Sequence, residues 1–176
     1  MGHCATDAEF VSLKIAVLTV SDSRTEETDT SGQTLKERAT KAGHEIVEKR
    51  IVIDDVYQLR SVVSQWIADD GVQVILVNGG TGLTGRDVTP QALTPLLDKH
   101  VPGFGELFRQ VSFEEIKTST VQSRAFAGLA NGTLIFCLPG SPGGVRCAWD
   151  RILEAQLDNR TRPCNFIALL PRFMET

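Results

Sequence analysis

The stretch that decides the fold is Val72-Gln73-Val74-Ile75-Leu76-Val77, followed by Asn78 and the glycine-rich segment Gly79-Gly80-Thr81-Gly82. A run that is almost entirely apolar predicts a strand buried on both faces, as in a parallel sheet covered by helices. The loop after such a strand opens onto the crevice in which open α/β sheets hold ligands. We therefore expect a ligand site at residues 79–82.

The same loop carries an acidic residue, Asp87, which lies five positions after Gly82 and just before the helix start Thr89-Pro90. Backbone N–H groups of residues 80–82, and those of the helix beginning near Pro90, favour a phosphate or another anion. A carboxylate 4 Å from a phosphate is repelled by about 4 kcal/mol at an effective dielectric near 20, so a cation or a proton is needed between them. The segment indicates phosphate with Mg²⁺, and the alternative is a glycine-rich turn with a surface aspartate.

The composition limits the class of protein. A chain of 176 residues suits one domain with a self-sufficient core. The net charge of −4 and the absence of a basic cluster argue against a nucleic acid or a membrane as partner. No apolar stretch approaches the ~20 residues that span a bilayer, so we expect a soluble, cytoplasmic protein. The four cysteines form no CxxC pair and the histidines are scattered, which predicts reduced thiols and no zinc site.

We divide the chain into a flexible N-terminal arm over residues 1–12, a single α/β domain over residues 13–170 and a tail over residues 171–176. The start Met1-Gly2-His3-Cys4-Ala5-Thr6 formally fits an N-myristoylation pattern, but a flexible start explains it equally well.

Predicted strands and helices alternate along the domain. Strands are predicted at residues 13–20, 46–53, 72–77 and 134–138. Helices are predicted from Thr30 (with Gln33 in a capping box) to Gly43, after Asp54-Asp55, from Thr89, from Ser119 to about Ala130, and after Gly144. Residues 102–106 are read as an interruption between elements. This alternation predicts a three-layer α/β/α sandwich with a mainly parallel sheet.

The carboxyl ends of parallel strands face one edge of a sheet, so the four strand-end loops supply the candidate site. Their residues are Ser21, Asp22 and Ser23; Asp54; Gly79, Gly80, Thr81, Gly82 and Asp87; and Pro139, Gly140, Ser141 and Pro142. Asp54 alone fits a helix cap, but Asp54 and Asp87 together reach one Mg²⁺ if their strands are neighbours. The serine and proline loops fit ordinary turns as well as ligand contacts. For Arg124, a solvated helix face is the alternative to a phosphate contact.

Several of these segments, in this order, resemble the MoaB/MogA molybdenum cofactor biosynthesis family. They are residues 19–23, 29–32, 79–82 with 86–90, 102–106 and 139–142. The likeness runs from about residue 14 to residue 166, and residues 161–166 resemble the MoaB branch in particular.

The resemblance implies a molybdopterin-binding α/β fold assembled as a homotrimer or, in the MoaB branch, a homohexamer. It also implies transfer of AMP from Mg-ATP to the terminal phosphate of molybdopterin, with release of pyrophosphate. The carboxylates essential in MogA-like enzymes match Asp54 and Asp87, so both are implied to be catalytic and to hold Mg²⁺. Some MoaB proteins lack these acids, and many relatives have lysine where this chain has Gly143. A molybdopterin-binding carrier without turnover is therefore the alternative.

Overall fold

The structure, a computed structural model, describes residues 8–175. Its strands are β1 (Lys14–Val20), β2 (Glu45–Val52), β3 (Val74–Asn78), β4 (Lys99–His100), β5 (Phe126–Ala130) and β6 (Thr133–Leu138). Its helices are α1 (Thr30–Lys41), α2 (Val56–Ile67), α3 (Thr89–Leu93), α4 (Pro102–Ile116), α5 (Pro142–Ala148) and, after the π-helical residues Trp149–Leu153, α6 (Glu154–Gln156). Short 3₁₀ segments lie at Thr94–Leu96, Lys117–Gln122 and Ile167–Arg172.

The six strands form one sheet in the order β2-β1-β3-β6-β5-β4. The first four are parallel, whereas β5 runs antiparallel to β6 and β4 antiparallel to β5. The connections from β1 and β2 lead to opposite sides of β1, so the order switches between β1 and β3. A mainly parallel sheet was predicted, and it is confirmed.

Both faces of the sheet are buried under helices. In β1, Ile15 and Val17 pack into the core beneath α1, α4 and α5, whereas Ala16 and Leu18 pack into the core beneath α2 and α3. Because successive side chains of a strand point to opposite faces, a strand covered on both sides must be apolar throughout. This double coverage is the physical origin of the apolar runs in the sequence, and it makes the predicted three-layer sandwich correct.

The helix predicted from Ser119 to Ala130 is wrong. Residues 117–122 form a 3₁₀ segment, and β5 follows it and pairs with β6 in a hairpin. The two-residue turn of this hairpin is Asn131-Gly132, with φ of 47° and 79°. Such left-handed values suit asparagine and glycine, and Asn-Gly is a strong hairpin signal that outweighs the apparent cap at Ser119.

Other element starts also differ from the predictions. Residues 102–106 begin α4, with Pro102 in its first turn. Proline is tolerated there because the N–H that it lacks would have no partner within the helix. The cap of α1 is Asp29, not Thr30, and its carboxylate accepts a 2.8 Å hydrogen bond from Gly32 N–H. Asp55, not Asp54, caps α2 by accepting from the N–H groups of residues 57 and 58. Asp54 is thereby left for another role.

The chain ends are attached to the domain as far as the structure describes them. Val11 N–H donates to Asn159 Oδ1 at 2.9 Å, and Ser12 Oγ donates to the carbonyl oxygen of Gly43 at 2.8 Å. Part of the predicted arm is therefore bound to the domain, while residues 1–7, with the myristoylation pattern, lie outside the described residues. Phe173, in the predicted tail, packs against the core. Within residues 8–175 no helix is long and apolar enough to cross a bilayer.

Candidate functional site

A cavity of about 550 Å³ lies at the carboxyl ends of the four parallel strands. Its floor is the point between β1 and β3 where the strand order switches, which is the usual ligand position in open α/β sheets. The lining residues that the sequence predicted are Ser21, Ser23, Asp54, Gly79, Gly80, Thr81, Gly82, Asp87, Pro139, Gly140 and Ser141. The structure thus brings all four strand-end loops together.

Two predicted residues do not line the cavity, and several unpredicted ones do. Asp22 lies beside it in an ion pair with Arg86, and Pro142 forms the first turn of α5. Lining residues that were not predicted as site residues are Thr19, Val20, Arg24, Asp29, Ser31, Asn78, Arg86, Gln122 and Ser123. Of the eight polar ones, Thr19 and Asn78 lie within strands, and Arg24 and Asp29 lie in the loop before α1.

The glycine loop after β3 is held in one conformation by surrounding hydrogen bonds. Gly79 and Gly80 have φ of 102° and 63°, a region that favours glycine. Thr89 donates from its N–H to the Gly80 carbonyl oxygen at 3.0 Å and from Oγ1 to that of Gly79 at 2.8 Å. Arg124 donates to the carbonyl oxygens of Gly82 at 2.7 Å and Asp87 at 2.8 Å. Arg124 therefore braces the loop, and it lies after the 3₁₀ segment that ends at Gln122 rather than on the solvated helix face considered from the sequence. Its contact with a phosphate stays a prediction.

The loops present backbone donors to the cavity. Within residues 8–175, the N–H groups of Gly80, Thr81, Gly140 and Ser141 donate no hydrogen bond to the protein, and all four residues line the cavity. Such groups suit anionic oxygens. At the start of α3 the Thr89 N–H is not available to a ligand, because it donates to the Gly80 carbonyl oxygen, and Pro90 has no N–H.

Asp87 is an anion fixed by its own loop. Its Oδ2 accepts hydrogen bonds from Thr84 N–H at 2.8 Å and Thr84 Oγ1 at 2.6 Å. Burial alone raises the pKa of Asp87, but the hydrogen bonds from Thr84 and Gly82 and the charge of Arg124 together lower it below its ordinary value. Asp87 is therefore ionised at neutral pH.

Asp54 has the opposite environment. Its carboxylate accepts no hydrogen bond from any group in the described part of the chain, and a Cβ placed on Gly80 would lie 2.8 Å from Asp54 Oδ1. Burial, followed by the charges of Asp22 and Asp87, raises the pKa of Asp54 to about 6, although the charge of Arg86 opposes this. Asp54 is thus an unpartnered carboxylate beside the glycine loop.

Asp22 positions the backbone of Asp54. It accepts hydrogen bonds from Arg86 Nη2 at 2.7 Å and Nε at 2.9 Å, and its Oδ1 also accepts the Asp54 N–H at 3.1 Å. The hydrogen bond from Arg86 holds the pKa of Asp22 below its ordinary value. The β1 and β3 loops are therefore tied to each other and to the loop after β2.

The donor set fits a magnesium ion that is shared with phosphates. Among residues 8–175 there is no group of three histidine, cysteine, aspartate or glutamate side chains that could hold a metal alone. Mg²⁺ commonly takes one or two carboxylates and completes its coordination with phosphate oxygens and water. Asp54, with no protein donor and with two neighbouring carboxylates, suits that role.

A second polar group lies on the α1 side of the glycine loop. Asn78 Nδ2 donates to Thr19 Oγ1 at 2.9 Å, and Thr19 Oγ1 donates to Asp29 Oδ2 at 2.8 Å. Lys49 Nζ contacts the same Asp29 oxygen at 2.8 Å. Burial opposes ionisation of Asp29, but hydrogen bonds from Lys49, Gly32 and Thr19 lower its pKa below the ordinary value. The sequence signal for this group is a polar residue near the end of each of two apolar strands.

These features define a class of protein: a doubly wound α/β domain that binds a small ligand in a polar crevice at the switch point of its sheet. Residues 16–159 match the family described as a probable molybdopterin binding domain. The chain belongs to this family, whose members include molybdenum cofactor biosynthesis proteins. The resemblance predicted from the sequence is confirmed.

Relatives and solved structures agree with this assignment. The molybdenum cofactor biosynthesis protein B of Escherichia coli strain K12 is 59% identical over 158 residues, which cover 90% of this chain and 93% of that protein. A crystal structure of a molybdenum cofactor biosynthesis protein B matches with a TM-score of 0.81 and 43% identity, over 84% of this chain and 92% of the other. The tungsten cofactor synthesizing protein MoaB from Pyrococcus furiosus matches with a TM-score of 0.73 and 37% identity, over 81% and 91% of the two chains.

Proposed function

We propose that this protein acts in molybdenum cofactor biosynthesis as a molybdopterin adenylyltransferase that uses Mg-ATP. The observation that carries the proposal is Asp54, an unpartnered carboxylate that lies against the glycine loop and near a second carboxylate, Asp87. Membership of a molybdopterin-binding family supports molybdopterin as one substrate. The paired carboxylates beside unused N–H donors support a metal-bound nucleoside triphosphate as the other.

In this proposal the strand-end loops divide the binding task. The N–H groups of Gly80, Thr81, Gly140 and Ser141 donate to phosphate oxygens, since no protein group in residues 8–175 accepts from them. Asp54 and Asp87 hold Mg²⁺, which when bound neutralises charge on the phosphates of ATP. Arg86, which lines the cavity and is paired with Asp22, places its guanidinium group at the same edge.

The chemistry needs positioning more than a strong base. An oxygen of the molybdopterin phosphate, already ionised at neutral pH, forms a bond to the α-phosphorus of ATP while the bond from that phosphorus to the pyrophosphate oxygen breaks. No proton has to be removed from the nucleophile. Donors fixed in the crevice offset the charge that develops on the α-phosphate and on the leaving pyrophosphate. No histidine lines the cavity within the described residues, which agrees with a mechanism without a general base.

The proposal is tested by incubating the protein with molybdopterin and Mg-ATP and detecting adenylylated molybdopterin and pyrophosphate. We expect product with the wild type and strongly reduced product with Asp54→Ala. The proposed activity would be refuted if the wild type formed no product and if the wild type and Asp54→Ala bound molybdopterin and Mg-ATP equally.

A second candidate, a molybdopterin carrier without turnover, has one specific observation in its favour. Gly143, at the start of α5, supplies no cation where related proteins often have lysine. However, Arg146 Nη2 lies 4.0 Å from the position that a Cβ on Gly143 would occupy, so a guanidinium group is close to that place. A carrier should show no Mg-dependent affinity for ATP and no thermal protection by Mg-ATP, whereas the adenylyltransferase should show both.

We further infer that the chain forms a homotrimer or a homohexamer. Leu107, Phe113 and Ile116 of α4, with Val121 just after it, are large apolar side chains that are 42–78% exposed in the single chain. Large apolar side chains that are exposed in the single chain are candidates for burial at subunit contacts. Sedimentation equilibrium of the purified protein measures the subunit number, and a monomer at micromolar concentration would contradict the inference.

A further inference from the structure

We propose that Asn78 Oδ1 accepts a hydrogen bond from the exocyclic amino group of a fused aromatic heterocycle, and that the α1 side of the crevice is the heterocycle subsite. The inference deepens the proposed function and rests on it, because both proposed substrates, ATP and molybdopterin, carry such an amino group.

The first observation is an unpaired acceptor. Asn78 is the last residue of β3, is fully buried and borders the cavity. Among the buried side-chain atoms that the structure describes, Asn78 Oδ1 is the one without a hydrogen-bond partner. Buried acceptors in native proteins are nearly always paired, and an exception at a binding site points to a missing donor. A ligand N–H group in the crevice would supply that donor.

The orientation of the Asn78 amide is determined by its neighbours. Its Nδ2 donates to the Leu18 carbonyl oxygen at 3.2 Å and to Thr19 Oγ1 at 2.9 Å. A flipped amide would place its oxygen against the Leu18 carbonyl oxygen and would bury an unpaired donor instead. The oxygen is therefore the atom that has no protein partner.

The neighbouring network keeps Thr19 from satisfying this oxygen. The Thr19 hydroxyl donates its single proton to Asp29 Oδ2, and that oxygen also contacts Lys49 Nζ. Because Asp29 is ionised and accepts only, the Thr19 proton stays directed at it. The chain of donors thus runs from Asn78 through Thr19 to Asp29, and it leaves Oδ1 of Asn78, a residue that lines the cavity, without a partner.

The position of Asn78 separates it from the phosphate side. In β3, Val74 and Leu76 pack into the core beneath α1, so by alternation Asn78 points to the α1 side of the sheet. Asp54 lies against Gly80 on the opposite side of the loop, where Gly80 also approaches Thr89 of α3. A substrate whose phosphates lie near Asp54 can place its heterocycle at Asn78 by passing over the glycines.

The test compares ligands that differ only in the amino group. One arm uses Mg-ATP and Mg-purine riboside triphosphate, which lacks the 6-amino group. The other uses 6-hydroxymethylpterin and the same pteridine without its 2-amino group. Dissociation constants are measured by calorimetry with the full chain as wild type, as Asn78→Leu and as Thr133→Val. Thr133 is a matched control, because its buried hydroxyl donates to the Val72 carbonyl oxygen at the opposite edge of the sheet.

We expect wild type and Thr133→Val to prefer the amino ligand by about tenfold in one arm, as one buried hydrogen bond allows. Asn78→Leu should reduce that preference to less than about twofold, a change that a merely structural role would not produce. The arm that responds identifies the heterocycle.

Equal affinity for both members of each pair in the wild type would overturn the inference, even if Asn78→Leu does not fold. An undiminished preference in Asn78→Leu would overturn it too. Amino-dependent binding without adenylylated product would refute the proposed adenylyltransferase activity but would support the heterocycle subsite. Product formation without any preference for the amino ligand would support the activity and refute the subsite.

Discussion

The loop after β2 and the loop after β3 each bring one aspartate to the same crevice, but they treat it in opposite ways. Asp87 is bonded twice to Thr84, and its pKa is held below the ordinary value. Asp54 has no donor within residues 8–175, and burial with the charges of Asp22 and Asp87 raises its pKa to about 6. The same side chain is therefore a fixed anion in one loop and an unsatisfied carboxylate in the other.

This difference indicates that the loop after β3 is organised for stability and the loop after β2 for a ligand. An aspartate whose oxygens are paired within its own turn stabilises that turn. An aspartate held among like charges without a donor disfavours the folded state unless a cation or proton joins it. We infer that Asp54 depends more on the ligand than Asp87 does, and the following predictions test that ordering.

The largest expected effect is on activity. Asp54→Asn keeps the shape of the side chain and removes the charge, and we expect adenylylated molybdopterin to form about 10²–10³-fold more slowly, as for loss of one fixed electrostatic contact in other enzymes. The apparent affinity for Mg²⁺ should weaken in parallel. Asp87→Asn should also reduce the rate but retain more of the Mg²⁺ affinity. The ordering is contradicted if Asp87→Asn weakens Mg²⁺ binding more than Asp54→Asn does.

The next effect concerns the glycine loop that separates the two aspartates. Gly80→Ala would introduce a side chain at φ 63°, 2.8 Å from Asp54 Oδ1 and in contact with Thr89 Oγ1. We expect the free energy of unfolding to fall by about 2–4 kcal/mol, from left-handed strain plus the clash. Gly85→Ala is the matched control, because nothing lies within 4 Å of its Cβ position. Its effect should stay within about 0.5 kcal/mol, and urea unfolding compares the two variants.

How much of this was predictable depends on how far apart in the sequence the interacting residues are. The parallel strands and their loops were predictable because apolar runs and turn residues are local signals. Asp54 and Asp87 were expected to meet if β2 and β3 were neighbours. In the structure β1 lies between these strands, and both aspartates still line one cavity because the carboxyl ends of parallel strands share an edge. The network around Asn78 was not predictable. It joins Thr19, Asp29, Lys49 and Asn78 through the register in which Thr19 opposes Asn78, and one sequence does not reveal that register.

A smaller effect concerns the free energy of unfolding, which should change in opposite directions in Asp54→Asn and Asp87→Asn. The pKa of Asp54 is raised, so the carboxyl favours the folded state below its unfolded pKa and disfavours it as pH rises through about 6. Asp54→Asn should therefore raise the free energy of unfolding at pH 8 by about 1–2 kcal/mol, a value reduced for solvent screening. That gain should vanish near pH 4.

Asp87→Asn should act in the other direction. Its pKa is lowered, so its contribution to stability is present above the unfolded pKa and is lost as pH falls through the folded value. We expect a loss of about 1 kcal/mol at pH 8, from the weakened bonds to Thr84. Chemical denaturation from pH 4 to pH 8 measures the free energy of unfolding of both variants. If both variants were stabilised, or both destabilised, at pH 8, the contrast between the loops would be contradicted.

The smallest effect isolates the charges around Asp54. Asp22 raises the pKa of Asp54 and Arg86 lowers it, although Asp22 and Arg86 are paired with each other. Asp22→Asn should therefore lower the pKa of Asp54, and it keeps an oxygen that can accept the Asp54 N–H. Arg86→Gln should raise the pKa of Asp54, because it removes the opposing charge. Carboxyl NMR titration of Asp54 reads both shifts, and an unchanged pKa of Asp54 in both variants would mean that burial alone, rather than the arrangement of charges, sets the behaviour of this loop.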